Sequence, residues 1–344
     1  MVSLNQTEAL FVPGSDAKPL ISLVVPCYNE SEVFPYFQTA ITEIADKLEI
    51  EFRVEIILVD DGSKDSTWQL ISSFAAKDSR VRGIALSRNF GQEMAFTCGF
   101  DLAQGDAVVS MDADLQDPPE VLFEMIEEWK KGYDVVDAVR TLREGESRFK
   151  LWTASNFYRF VRFLGITNVK ANAGDFRLMS RQSLNALEQM REGHRFIRGM
   201  VGWVGFRSTE VFFQRKPRKA GETKFPLYRQ LHIATNAIVS FSTVPLKVSF
   251  ITAILLAAII LGYLCIATVK HFFFGAELAP GWTSIILATV SLGVMNLICI
   301  GILGEYVGRI YEQVKKRPLY LVRDTTRKSE SSRGVTEATT CPKK

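Results

Sequence analysis

Paired cysteines are the first thing this sequence lacks. Five are present (Cys27, Cys98, Cys265, Cys299 and Cys341), with no C-x-x-C pair and no metal-ligand spacing. Two of them fall in apolar runs, and all read as reduced, small residues rather than as a disulfide or thiolate-metal framework. Charge of one sign is scarce as well. Lys and Arg number 41 against 38 Asp and Glu, a net charge of +3, so the charge does not point to nucleic acid as a partner. A secretory leader is also missing. The first 19 residues contain Asp, Glu, Pro and Gly and no apolar h-region, which predicts that the N-terminal part stays in the cytoplasm.

What the chain has instead is apolar content. Hydrophobic residues make up 47% of 344 and the mean hydropathy is +0.08, high for a soluble protein. Two uncharged runs stand out, residues 248–269 and 284–304. Each is long enough as a helix to cross about 30 Å of hydrocarbon. Lys216, Arg218, Lys219, Lys224 and Arg229 precede the first run. Arg309, Lys315, Lys316 and Arg317 follow the second. The positive-inside rule then places both flanks in the cytoplasm.

Upstream, from residue 20 to about 211, short β-rich runs alternate with helical patterns. Residues 20–25, 54–59, 81–86 and 107–111 are strand candidates, apolar on both faces as in a parallel sheet covered by helices. Helices are expected near 33–48, 66–76, 92–102 and 119–131, with Asp65-Ser66 and Pro118-Pro119 as starts. This alternation predicts a doubly wound α/β domain. The expected boundaries are a tail at 1–19, a catalytic domain at 20–226 and a juxtamembrane amphipathic helix at 227–246. A two-helix membrane region at 247–311 and a C-terminal tail at 312–344 follow, the Ser/Thr/Lys-rich end being expected to be disordered. The basic, aromatic stretch 148–164 reads either as a second interfacial helix or as an ordinary packing helix.

Polar residues collect where the expected strands end, which is where α/β domains bind ligands. The first strand runs into Pro26-Cys27-Tyr28-Asn29-Glu30, the second into Asp60-Asp61-Gly62-Ser63, and a later one into Asp112-Ala113-Asp114-Leu115-Gln116-Asp117. One acidic turn is ordinary loop chemistry; three at one sheet edge are not. The D-x-D spacing suits a hard cation that neutralises a diphosphate leaving group, one carboxylate on metal and the other on ribose or the metal's water shell. In Gly174-Asp175-Phe176-Arg177, Asp175 can act as a general base or orient an acceptor, and Arg177 can hold a phosphate. A salt-bridged turn is the plainer reading of that segment. The cationic loop 218–224 can close over a diphosphate through Arg218 and Lys224 or attract anionic lipid.

These segments together resemble glycosyltransferase family 2. They are VVPCYNE at 24–30, VDDGSKDST at 59–67, SRNFGQE at 87–93, DADLQDPPE at 112–120, GDFRLMSR at 174–181, AGETKF at 220–225 and GEYVGRIY at 304–311. Within that family the chain is similar to the polyprenyl-phosphate glycosyltransferases, the bactoprenol glucosyltransferase group of O-antigen modification in particular. The resemblance implies a GT-A fold, a nucleotide-sugar donor with Mg2+ or Mn2+, and a polyprenyl phosphate acceptor at a bacterial inner membrane crossed more than once. It implies that Pro26, Tyr28, Glu30 and Asp61 line the nucleoside pocket. Asp112 and Asp114 would serve ribose and metal, with Asp114 the direct ligand, and Gln116 would lie near the diphosphate or sugar. Asp175 would hold the usual base position, while Arg218 and Lys224 would contact phosphates. Inversion at the anomeric carbon is implied too. UDP-glucose is the expected donor. GDP-mannose, UDP-N-acetylglucosamine and a UDP-linked modified arabinose are the alternatives, as is a sugar-nucleotide sensor or scaffold without turnover. The Q-x-x-R-W motif and extra spans of processive synthases are missing. Gly304 and Gly308 leave room for a homo-oligomer, and a flippase is the expected partner for a lipid-linked sugar.

Overall fold

The computed structural model describes residues 18–141, 173–214, 244–274 and 281–326. The amphipathic stretch 148–164, most of the juxtamembrane helix, and Arg218 and Lys224 lie outside these residues.

Eight strands form one sheet: β1 (Leu20–Cys27), β2 (Arg53–Asp60), β3 (Val81–Leu86), β4 (Ala107–Ser110), β5 (Val135–Arg140), β6 (Ala173–Ser180), β7 (Ser208–Phe213) and β8 (Val322–Thr325). The helices are α1 (Phe34–Leu48), α2 (Thr67–Lys77), α3 (Gln92–Leu102), α4 (Val121–Lys130), α5 (Arg181–Glu188), α6 (Ile197–Val204), α7 (Val244–Phe274) and α8 (Trp282–Val314). The strand order is β7-β5-β6-β4-β1-β2-β3-β8. The expected α/β class and the first four strands and helices are present. The sheet is mixed rather than wholly parallel, because β6 and β8 run against their neighbours.

Alternation along the strands builds a layer on each face. Ile21, Leu23, Val25, Ile56, Leu58, Phe176 and Leu178 join the apolar faces of α1, α2 and α4 in one core. Val24, Ile57, Val59, Met179 and the faces of α3, α5 and α6 form the other. Contact is close enough that a methyl on Gly99 of α3 would lie 2.2 Å from Val24 Cγ1, so α3 must be smooth there. The two starts expected for α2 and α4 differ in detail. Ser66 stands at the α2 N-cap without a side-chain cap bond, and Asp65 does the capping through the Thr67 amide at 3.0 Å. Pro118 and Pro119 form a tight turn ahead of α4, their carbonyls accepting from Val121 and Leu122.

The segment expected as a tail from 312 is tied back to the sheet. α8 runs on to Val314, and β8 pairs antiparallel with β3. Tyr320 donates to Asp101 at 2.8 Å, and Leu321 accepts from the Ser87 amide at 2.8 Å. The reason is the open edge of β3, whose unpaired amides β8 satisfies.

Both long apolar runs are helical. α7 and α8 contain windows with mean hydropathy 2.1 (Leu246–Tyr263) and 1.8 (Ala288–Val314), none of it buried within the protein. Phe250, Ile254, Ile259, Leu297 and Ile300 are each more than half exposed. Both helices contain uncovered windows long and apolar enough to cross a membrane.

Candidate active site

The central strands β4, β1 and β2 end side by side, so their polar continuations meet at one edge. Two loops are stitched together there. Asn29, held at φ 52, donates its amide to Ser63 Oγ at 3.0 Å and accepts from the Lys64 amide at 2.8 Å. The Glu30 amide bonds Thr67 Oγ1, and the Ser31 amide bonds Asp65. Tyr28 stands exposed beside them, while Pro26 and Glu30 are half-buried. Left-handed Asn is tolerated because its side chain completes the turn.

Asp61 is 3% exposed. Its two carboxylate oxygens accept from the Phe90 and Gly91 amides at 2.7 and 2.9 Å. Burial pushes its pKa up and those two bonds oppose the rise. Its visible task is to fix the loop 88–91 in front of α3. Gly62 follows at φ +68, where a methyl would sit 2.4 Å from the Arg88 carbonyl carbon; only glycine lets these backbones approach. Asp60 is fully buried and accepts from the Ser63 amide, and Arg323 of β8 lies 3.8 Å away.

The antiparallel course of β6 brings its beginning to the same edge. Ser110 pairs with Arg177 and Val109 with Leu178; continuing that register by two residues sets Asp175 opposite Asp112. Three further polar residues then complete an acidic corner. Gln92, the first residue of α3, donates to Asp112 at 2.8 Å and to Asp175 at 3.3 Å. Arg198 of α6 grips Asp175 with two hydrogen bonds, at 2.7 and 2.8 Å. Glu93 accepts from the Ile197 amide at 3.1 Å and so anchors the start of α6. Asp114 is 9% exposed and accepts from the Gln116 amide. Asp117 takes a bond from Arg140 at 3.2 Å.

The electrostatics follow from crowding. Burial, then Asp175, Asp114 and Asp117, push Asp112 up to about 8. Glu93 rises to about 7 through burial and Asp175. Asp175 goes the other way: burial alone would raise it, but Arg198 outweighs that and holds it below the ordinary carboxylate range. Carboxylates that disfavour one another's ionisation in this way would be relieved by a cation placed among them. Among the described residues no three His, Cys, Asp or Glu side chains converge to cage an ion alone. A Mg2+-like ion needs only one or two carboxylates when substrate phosphates and water fill its shell. Asp112 and Asp114 meet that requirement, so the corner fits a metal brought with a diphosphate.

Of the residues expected from sequence, Pro26, Tyr28 and Glu30 share the two-loop wall. Asp112, Asp114, Gln116 and Asp175 share the corner. Arg177 is not brought into the opening. It is 4% exposed and paired with Asp137, its cross-strand neighbour on β5. Gln92 and Glu93 sit in the SRNFGQE motif, which gave no hint of their task. Arg198 lies in a short helix with no motif to flag it.

Residues 22–187 match the model of glycosyl transferase family 2. An uncharacterized glycosyltransferase of Synechocystis is 41% identical over 304 residues, 88% of this chain and 95% of that protein. A prophage-derived bactoprenol glucosyl transferase of Shigella flexneri is 39% identical over 307 residues, 89% of this chain and 98% of that protein. Among solved structures, glucosyl-3-phosphoglycerate synthase of Mycobacterium tuberculosis superposes with a TM-score of 0.46 at 18% identity, over 64% of this chain and 78% of that one. With near-complete coverage at this identity and the strand-end acidic motifs in place, the chain belongs to glycosyltransferase family 2.

Proposed function

We propose that this chain transfers glucose from UDP-glucose to polyprenyl phosphate, with inversion at the anomeric carbon. The reaction is placed at the cytoplasmic face of a bacterial inner membrane. The observation that carries this reading is the 39% identity to a bactoprenol glucosyl transferase over 307 residues. A match over 89% of the chain extends past the sheet's central strands into the two uncovered apolar helices.

In this reading the β1 and β2 loops, with Pro26, Tyr28 and Glu30, hold the nucleoside, and Asp61 acts through the loop it braces. Asp112 and Asp114 would hold Mg2+ or Mn2+, which neutralises the charge gathering on the departing diphosphate. Gln116 borders the donor sugar, and Arg218 and Lys224 contact phosphates. An acceptor phosphate oxygen forms a bond to C1 of glucose while the bond from C1 to the β-phosphate oxygen breaks, and UDP leaves with the electron pair. The acceptor is a phosphate monoester with a second pKa near 6, so at pH 7 it is largely a dianion. No proton has to be removed for it to attack. Asp175 therefore serves as a positioning group, and the cost to be met is repulsion between two charged substrates.

α7 and α8 act as spans that hold the corner at headgroup level, raising the effective concentration of the lipid. Gly304 and Gly308 have no neighbouring atom within 4 Å of where a Cβ would stand, which suits close approach of a second copy. The lipid-linked sugar then requires a flippase for use in cell-surface glycan such as O-antigen.

The test is transfer of radiolabel to undecaprenyl phosphate by the purified full chain, with UDP-glucose, UDP-N-acetylglucosamine and GDP-mannose in parallel. A lipid-soluble product from UDP-glucose is the expected result. Product from another donor alone would keep the reaction and replace the sugar. Donor binding without product from any of them would favour the sensor reading.

A further inference from the structure

A phosphate dianion entering beside Asp175 meets carboxylates on several sides and needs a cation. Among the described residues, Arg198, Arg177 and Arg140 lie near enough to act on Asp175. Arg177 is closed off inside the sheet by Asp137, both side chains 5% exposed. Arg140 bonds Asp117 and stands over Gly174, where a methyl would come within 3.2 Å of its Nη2. Arg140 is exposed nearly as much as Arg198, 31% of its side chain, but its bond goes to Asp117, whereas Arg198 grips Asp175 itself. Its Nε and one Nη2 hydrogen are taken by Asp175, and its side chain is 38% exposed. Guanidinium carries five donors in a planar fork, so with one edge fixed by a carboxylate the other edge remains to face an anion.

We infer that Arg198 seats the acceptor phosphate, with Asp175 as the clamp that aims it. The inference rests on the proposed transfer to a polyprenyl phosphate and names the residue that would hold its headgroup, a phosphate monoester.

The surroundings of Arg198 are built for aim. α6 starts one residue before it, and Glu93 holds the first amide of that helix at 3.1 Å. The strand of chain leading into α6 is gripped by the end of α8. The Gly193 amide donates to Gln313 Oε1 at 2.8 Å, Gln313 donates back to the Arg191 carbonyl at 3.2 Å, and His194 meets Glu312 at 2.6 Å. The helix proposed to cross the membrane therefore fixes the loop that leads into the helix carrying the guanidinium. A fork with one edge clamped and its helix anchored loses little entropy on binding, and its open edge matches phosphate in two parallel hydrogen bonds as an ammonium cannot.

The experiment compares full-chain wild type, Arg198→Ala and Arg198→Lys in detergent. It measures UDP affinity and the separate KM values for undecaprenyl phosphate and UDP-glucose. For Arg198→Ala the lipid KM should rise about tenfold or more, with UDP affinity within about twofold of wild type. Arg198→Lys should recover part of the loss, because a point charge remains without the fork. An unchanged lipid KM overturns the inference. So does a parallel loss of UDP affinity in both variants, which would make Arg198 a donor-site or folding residue. Wild type that transfers nothing to undecaprenyl phosphate from any donor overturns the underlying function instead, so the two failures are distinct.

Discussion

Replacing Asp175 with asparagine keeps the side chain's shape and removes its charge. The two hydrogen bonds from Arg198, at 2.7 and 2.8 Å, are both charge-assisted in the wild type. Asparagine can accept only one of them and turns a donor towards the other. A hydrogen bond to a charged group contributes about 1.5–3 kcal/mol. At about 1.4 kcal/mol per decade this gives a fall in kcat/KM of about 10- to 150-fold. Loss of a general base costs about 10²–10⁴-fold, so size alone does not separate the two roles; pH dependence does. Asp175 is held below the ordinary carboxylate range, and the acceptor is already a dianion above pH 7. Asp112, pushed up to about 8, would titrate in this range unless a bound cation keeps it ionised. The comparison is therefore made at saturating Mg2+, where wild type and Asp175→Asn should have parallel, flat rate profiles between about pH 7 and 9. The assay is incorporation of radiolabelled glucose into extractable lipid at saturating donor. A variant rate that climbs steadily with pH until it approaches wild type would refute the positioning role and restore Asp175 as a base.

Asp61→Ala leaves the Phe90 and Gly91 amides without their acceptor, each loss costing about 1–3 kcal/mol; a lower melting temperature and a higher KM for the donor are expected. Gly62→Ala puts a methyl 2.4 Å from the Arg88 carbonyl carbon at φ +68 and should destabilise by about 1–3 kcal/mol, read by thermal unfolding in detergent. Glu93 is raised from 4.5 to about 7 by burial and then by Asp175. The folded chain thus binds more protons than the unfolded one in that window, and the stability present below pH 4.5 is lost as pH rises towards 7. Solvent on the open side of this half-buried group limits the effect to about 1–2 kcal/mol. Glu93→Gln, which still accepts from Ile197, should flatten that part of the stability profile; an unchanged slope would contradict the assignment.

The first half of the sheet was legible because β1 to β4 are buried on both faces and read as unbroken apolar runs. β5 and β6 are harder to see. Asp137 and Arg177 interrupt them, and their mutual pairing within the sheet is visible only once the strands are side by side. Gly174-Asp175 has the composition of a turn, yet it opens a strand whose other face carries Phe176 and Leu178 in the core. β8 is short and largely exposed, and its only signal is an unpaired edge more than 200 residues earlier in the chain. The acidic half of the candidate site came from strand-end motifs. Its basic half did not, because Arg198 belongs to an eight-residue helix and reaches Asp175 through the packing of α6 on the sheet.

Metal-assisted transfer of glucose to a polyprenyl phosphate is tested most directly with purified full-length protein, labelled UDP-glucose, undecaprenyl phosphate and Mg2+. Chelator and Asp114→Ala serve as the two controls. A lipid-soluble glucosyl product that disappears under chelation and in the variant, while the variant stays folded, is the predicted result. Lipid product at an undiminished rate in Asp114→Ala, or no lipid product from wild type that binds UDP-glucose, would contradict it.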